Sequence, residues 1–103
     1  MAKKFEDLMR EVQKDWSDEA WRVYDAASAV FKAEMEERAR LGAQLAVARK
    51  ARGFTQSALS KLSGIQQAEI SRIERGAGNP TATTLFRLAV ALDQELTFVP
   101  VAS

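Results

Sequence analysis

A mainly helical fold of five or six helices is predicted for this chain by three observations. Apolar residues recur at helical spacing, as in Trp21, Tyr24, Ala27, Val30, Phe31 and Met35. The breakers Gly42, Gly53, Gly64, Gly76, Gly78, Pro80 and Pro100 all lie beyond residue 41 and cut the pattern into short pieces. A length of 103 residues with 47% hydrophobic content supports one modest core.

The elements follow in chain order. Phe5 to about Lys14 is amphipathic and reads as a short helix with frayed ends. Ser17 is a good N-cap, and Asp18 and Glu19 behind it favour the positive end of a helix dipole. Trp16 and Trp21 then occupy the two positions of a hydrophobic staple. The helical pattern continues through Leu41, Leu45 and Ala48 to about Arg52. One helix of that length would be roughly 50 Å long, so a break or bend is expected between Glu37 and Gly42. Gly53 stops the pattern, Thr55 caps the next helix, and Phe54 with Leu59 forms a second staple. This helix, about Gln56 to Ser63, turns Leu59 and Leu62 inward and ends at Gly64. The following helix runs from about Gln67 to Arg75 and stops at Gly76. After the turn of residues 77–80, Thr81 caps another, with Leu85, Leu88, Ala89 and Leu92 inward. The tail, "ELTFVPV", is rich in β-favouring residues and reads as a short strand.

Several function classes drop out early. The chain has no His and no Cys, which removes the usual zinc sites and most nucleophile–base pairs. No Gly-rich phosphate loop is present. The expectation is a non-enzyme without cofactor or metal. No apolar run is long enough to span a membrane, and the absence of cysteine suits the cytoplasm. Net charge is only +1, but its distribution is uneven: residues 1–40 carry eight Lys/Arg against ten Asp/Glu, and residues 41–103 seven against four. The basic excess lies in the second half.

That half contains "SGIQQAEISRIERGAGNP", Ser63 to Pro80. On a helical wheel Ile70 and Ile73 fall together and face the core. Gln67, Ala68, Ser71, Arg72 and Arg75 occupy the opposite arc. An amide pairs bidentately with adenine, a guanidinium with guanine, and an alanine methyl touches thymine, so the arc suits the major groove. Small Ala68 and Ser71 allow close approach to the bases. Thr55 and Gln56 open the preceding helix, where backbone N–H groups and an amide can grip a phosphate. A solvated surface helix explains the same arc equally well.

The segment "RKARGFTQSALSKLSGIQQAEISRIERGAGNPTATTLFRLAVAL", Arg49 to Leu92, closely resembles the Xre-type helix-turn-helix family. The resemblance implies a lambda-repressor-like DNA-binding domain at 41–93 that inserts its third helix into the major groove as a dimer. By position it implies that Gln67, Ala68 and Arg72 read bases, and that Gln56 and Gln66 make phosphate or capping contacts. Ser71 and Arg75 sit nearby, and Asn79 with the 76–79 backbone resembles a second phosphate contact. Arg49 and Glu74 match a buried ion pair, a structural role.

The tail, 94–103, has no strand partner in its own chain, and unmade backbone hydrogen bonds favour pairing with a second copy through Leu96, Phe98 and Val99. A frayed tail is the alternative. A two-fold dimer would read a palindromic operator on double-stranded DNA, with half-site centres about 34–36 Å apart or a multiple of that.

Residues 1–40 form an N-terminal helical extension that a minimal helix-turn-helix does not need. It holds both tryptophans and the only tyrosine. Trp16, Trp21, Tyr24 and Phe31 are candidate anchors for a partner protein, the alternative being packing on the DNA-binding core or a sister subunit. The "YDAA…F…R…LG…L…ARKARGFTQ" run, the Xre segment and the "ELTFVP" tail together resemble the HigA-type antitoxins. That resemblance implies a small RelE-fold, messenger-RNA-cleaving toxin (HigB-like) as partner, and repression of a shared operon. Two other readings stay open: a stand-alone Xre repressor, and a protein-binding coactivator-like module.

Overall fold

The computed structural model describes residues 4–102. Five helices follow in order: α1 (Phe5–Gln13), α2 (Asp18–Ala51), α3 (Gln56–Ser63), α4 (Gln67–Glu74) and α5 (Ala82–Ala91). The chain divides into two compact units, Met1–Glu34 and Met35–Ser103.

In the first unit, α1 begins with Glu6 and Asp7 in its first turn, where acidic groups favour the helix dipole. Ser17 caps α2 as expected, its Oγ accepting from the Ala20 N–H at 3.2 Å. The staple pair meets: the rings of Trp16 and Trp21 lie 5.4 Å apart, and Tyr24 approaches both, at 5.4 and 6.0 Å, edge-on. Tilted and edge-on arrangements suit the ring quadrupoles. Gln13 is buried, and its Nε2 has no hydrogen-bond partner among the described residues.

The second unit is built round Leu45, Leu59, Ile65, Ile70, Ile73, Leu88 and Leu92, with Ala48, Phe54 and Ala91 against them. Each fully buried aliphatic side chain contributes about 1.5–3 kcal/mol relative to exposure, so the core that holds α4 in place is shared by α2, α3 and α5. Thr55 Oγ1 accepts from Ala58 N at 3.0 Å, and Thr81 Oγ1 from Thr84 N at 3.2 Å, so both threonine caps form as the sequence indicates. Gly64 closes α3 at φ +75°, a conformation that disfavours a Cβ. The turn behind it is tied by its serines: Ser60 Oγ donates to the Ile65 carbonyl at 2.6 Å, and Ser63 Oγ donates to the Leu59 carbonyl at 2.7 Å.

Two expectations are corrected. No break falls between Glu37 and Gly42, because α2 is helical across that stretch. A lone glycine weakens a helix by about 1 kcal/mol but does not end it. Here Gly42 is where the helix lies directly on backbone: a Cβ at this position would stand 2.8 Å from the Glu74 carbonyl oxygen and closer still to that of Ile73. Gly42→Ala is therefore expected to lower stability by about 1–3 kcal/mol despite its better helix propensity. Urea denaturation checks this, and an unchanged or raised midpoint would contradict the packing.

Leu62 is exposed rather than inward, and the buried residue beyond it is Ile65 of the turn. Leu62 instead lines a surface hollow with Phe86 and Val90 of α5. The tail forms no strand among the described residues. A single strand has no ladder to join within one chain, and Leu96, Phe98, Val99 and Val101 stand exposed.

Candidate nucleic-acid interface

Ile70 and Ile73 anchor α4 with nearly full burial. Their three-residue spacing fixes which side chains remain outside. Gln67, Ala68, Arg72 and Arg75 are exposed, and Ser71 is half-buried between them. All five residues of the sequence-defined arc thus share the open side of α4. Gln66 takes the N-cap position with extended backbone but makes no side-chain cap bond, so its exposed amide is uncommitted there. Among the described residues neither Arg72 nor Arg75 has an ion-pair partner. Two guanidiniums, each with a fixed fork of donors, stand ready for phosphate or guanine.

Beyond α4 the chain turns at Gly76, φ +72°, with the Ala77 N–H bonded to the Arg72 carbonyl at 2.9 Å. The φ value and the closeness of Ala39, whose Cα would lie 3.1 Å from an added Cβ, both require glycine there. This turn brings Asn79 to the surface. Thr55 is exposed with its hydroxyl engaged in capping α3.

One network behind the arc sets the angle of α4. Arg49 of α2 donates from Nε to Glu74 Oε2 at 2.7 Å and from Nη2 to Oε1 at 2.9 Å. Its Nη1 donates to the Phe54 carbonyl at 2.8 Å. Arg49 and Glu74 side chains retain little exposure, so the bidentate pair is largely desolvated. Gln56 completes it: Nε2 donates to Glu74 Oε1 at 3.2 Å. The family resemblance implies a phosphate or capping contact for Gln56. The structure commits one of its two amide hydrogens to Glu74 and leaves the other, so any phosphate contact is aimed by the carboxylate behind it. Sequence reasoning missed this bond, because nothing local in the chain links positions 18 residues apart. It also missed Arg52, whose guanidinium lies 5.8 Å from the Phe54 ring centroid and 3.9 Å from Asp93. The alternation of Arg52 and Phe54 was its one sequence signal.

The Arg49–Glu74 geometry has a pH consequence. Burial pushes the Glu74 carboxyl up, but hydrogen bonds from Arg49 and Gln56 with the Arg49 charge outweigh it and hold the group below its ordinary value of 4.5. A depressed carboxyl contributes stability above the unfolded value and loses it as pH falls through the folded one. The stability gap between wild type and Glu74→Gln should thus narrow as pH drops below about 4.5, in parallel urea titrations. A gap independent of pH would show that the charge on Glu74 carries no part of the stability.

The remaining predicted groups are also placed. Tyr24 and Trp21 are part-exposed and Phe31 largely exposed, with Trp16 half-buried against Trp21 and Tyr24. Among the described residues no cluster of acidic side chains could hold a metal ion, and no helix is long and apolar enough to cross a membrane.

Comparison with known proteins matches residues 45–99 to the family described as HTH_3, helix-turn-helix. An uncharacterized HTH-type transcriptional regulator of Haemophilus influenzae is 40% identical over 57 residues, 55% of this chain and 58% of that protein. Antitoxin HipB of Escherichia coli is 43% identical over 49 residues, 48% of this chain and 56% of HipB. The matched segment spans little more than half the length of either relative. Among solved structures, the restriction-modification controller protein C.AhdI from Aeromonas hydrophila superposes with a TM-score of 0.57 at 33% identity, covering 58% of this chain and 91% of that one. These matches cover the lambda-repressor-like arrangement that holds α4.

Proposed function

The chain belongs to the HTH_3 helix-turn-helix family, and on that premise we propose that it is a sequence-specific DNA-binding regulator of the antitoxin type. In this reading 41–93 is the DNA-binding module, 1–40 binds a partner protein and 94–103 joins two copies. The carrying observation is the open arc on α4: Gln67, Ala68, Arg72 and Arg75 exposed together, with both guanidiniums unpaired among the described residues. Base readout falls to Gln67, Ala68 and Arg72. Phosphate contacts fall to Gln66, Arg75, Asn79 and the free amide hydrogen of Gln56, with Ser71 allowing close approach.

Two copies are needed to read a palindrome. The exposed Leu96, Phe98 and Val99 support pairing through the tail, as do the backbone N–H groups of residues 95–99, which have no backbone partner among the described residues. Removing residues 95–103 is expected to halve the mass in sedimentation and weaken operator binding. A truncated chain that still sediments as a dimer would remove the tail from the interface.

The partner in this reading is a small RelE-fold, messenger-RNA-cleaving toxin, neutralised by direct binding, with the shared operon repressed by the bound dimer. The HipB match supports the antitoxin type, because that relative is itself named an antitoxin. A repressor without a toxin is the second reading, supported by relatives named only as transcriptional regulators. Co-expression with the product of the adjacent small reading frame separates the two: co-purification and restored growth are expected for the first, neither for the second.

The DNA-binding claim is tested with a labelled fragment of the gene's own promoter and a scrambled control. Each phosphate neutralised should add about −0.9 to the slope of log K against log salt. Affinity for the promoter should therefore fall steeply with salt while exceeding that for the control. Equal affinity for both would leave only charge-driven binding.

A further inference from the structure

From Trp21 to Glu34, α2 is exposed at every residue. Roughly four turns of helix therefore hold their apolar side chains in water. At about 100° per residue, Val30, Val23, Ala27, Ala20, Phe31 and Tyr24 fall in one continuous arc of about 120°. Val23 is 65% exposed, Val30 59% and Phe31 62%. At the Trp16 end the arc opens into a hollow lined by Trp16, Glu19, Val23 and Tyr24. A helix bare over this length is marginal in water by itself.

The charges round this arc are one-sided. Glu19 borders it in the first turn of α2, and Glu34 lies within it fifteen residues later, about 22 Å along the axis. Arg22 and Lys32 project outside it, so the arc contains no cation. A second copy of this chain suits it poorly. Two-fold pairing of the face sets Glu19 against Glu34 when the helices run antiparallel, and each carboxylate against its own equivalent when they run parallel. Like charges meet at both ends either way, which disfavours the pairing.

We propose that this face of α2 docks a different protein, one presenting an apolar ridge with a basic residue near each end, about 20 Å apart by the helix rise. The proposal rests on the reading of residues 1–40 as partner-binding and names the chemistry of the partner. Val23, Ala27, Val30 and Phe31 supply the buried centre, and Glu19 and Glu34 supply the polar rim that selects a basic surface.

The test uses the full chain and two synthetic helical peptides with the same apolar ridge, one ending in lysines and the other in glutamates. Trp16 and Trp21 report binding by fluorescence, since neither peptide contains tryptophan. The lysine-ended peptide is expected to bind at least tenfold more tightly. Glu19→Lys with Glu34→Lys should reverse the preference, and Glu19→Gln with Glu34→Gln should abolish it without introducing cations. Phe31→Asp should weaken both peptides, with helicity checked by circular dichroism. Equal binding of the two peptides by wild type, or binding of neither, overturns the proposal. So does a Phe31→Asp chain that sediments as a monomer where wild type is a dimer, because the face then belongs to a second copy. A preference for lysine ends with no binding of the adjacent gene product sinks the toxin reading and leaves the charge rule standing. An adjacent product bound equally by wild type and Glu19→Lys/Glu34→Lys sinks the charge rule alone.

Discussion

Replacing Glu74 by alanine is expected to cost about 3–5 kcal/mol of folding stability. The carboxylate accepts two hydrogen bonds from Arg49, at 2.7 and 2.9 Å, and one from Gln56 at 3.2 Å. Removing it leaves a mostly buried guanidinium whose remaining partner among the described residues is the Phe54 carbonyl at 2.8 Å. An uncompensated buried charge is the source of the large penalty; the net worth of the intact pair is much smaller. A loss of this size is a large part of the 5–15 kcal/mol typical of a folded domain. Urea denaturation measures it, and a loss below about 1 kcal/mol, the range of a surface pair, would show that Arg49 is rescued by water. Replacing both partners by apolar residues of similar volume should recover much of the loss. Operator binding should still weaken in that double variant, because Gln56 loses the carboxylate that aims its amide.

Gln67→Ala combined with Arg72→Ala is expected to remove about 2–6 kcal/mol of discrimination between operator and scrambled DNA, at about 1–3 kcal/mol per bidentate contact. Stability should hardly change, because both side chains are exposed and neither supports the core. The pair separates reading from holding. Arg75→Ala should weaken both DNAs alike and reduce the salt slope by about one phosphate. Competition anisotropy with both DNAs gives the two numbers. Should the double variant retain its preference for the promoter, direct readout by α4 would be wrong.

The arc was legible in the sequence because helical period alone places Gln67, Ala68, Ser71, Arg72 and Arg75 opposite Ile70 and Ile73 once those two isoleucines are buried. The caps were legible for the same local reason: Thr55 and Thr81 each act on a backbone N–H three residues ahead. Errors arose where a residue's surroundings come from distant parts of the chain. Gly42 reads as a breaker, yet it is the point where α2 rests on the carbonyls of Ile73 and Glu74. Leu62 has the composition of a core residue but lies outside, and Ile65 lies inside. No glycine marks the end of α5, where Asp93 takes the left-handed conformation at φ +55°.

The sequence by itself determined the helical class, the threonine caps and the outward chemistry of α4, since each depends on neighbours within a turn or two. Only the tertiary structure decided that Gln56 is held by Glu74, that α2 runs unbroken past Gly42, and that the Val23–Phe31 face stands uncovered. Those outcomes depend on which surfaces meet across long separations in the chain. Close packing settles them, and local propensity does not encode it.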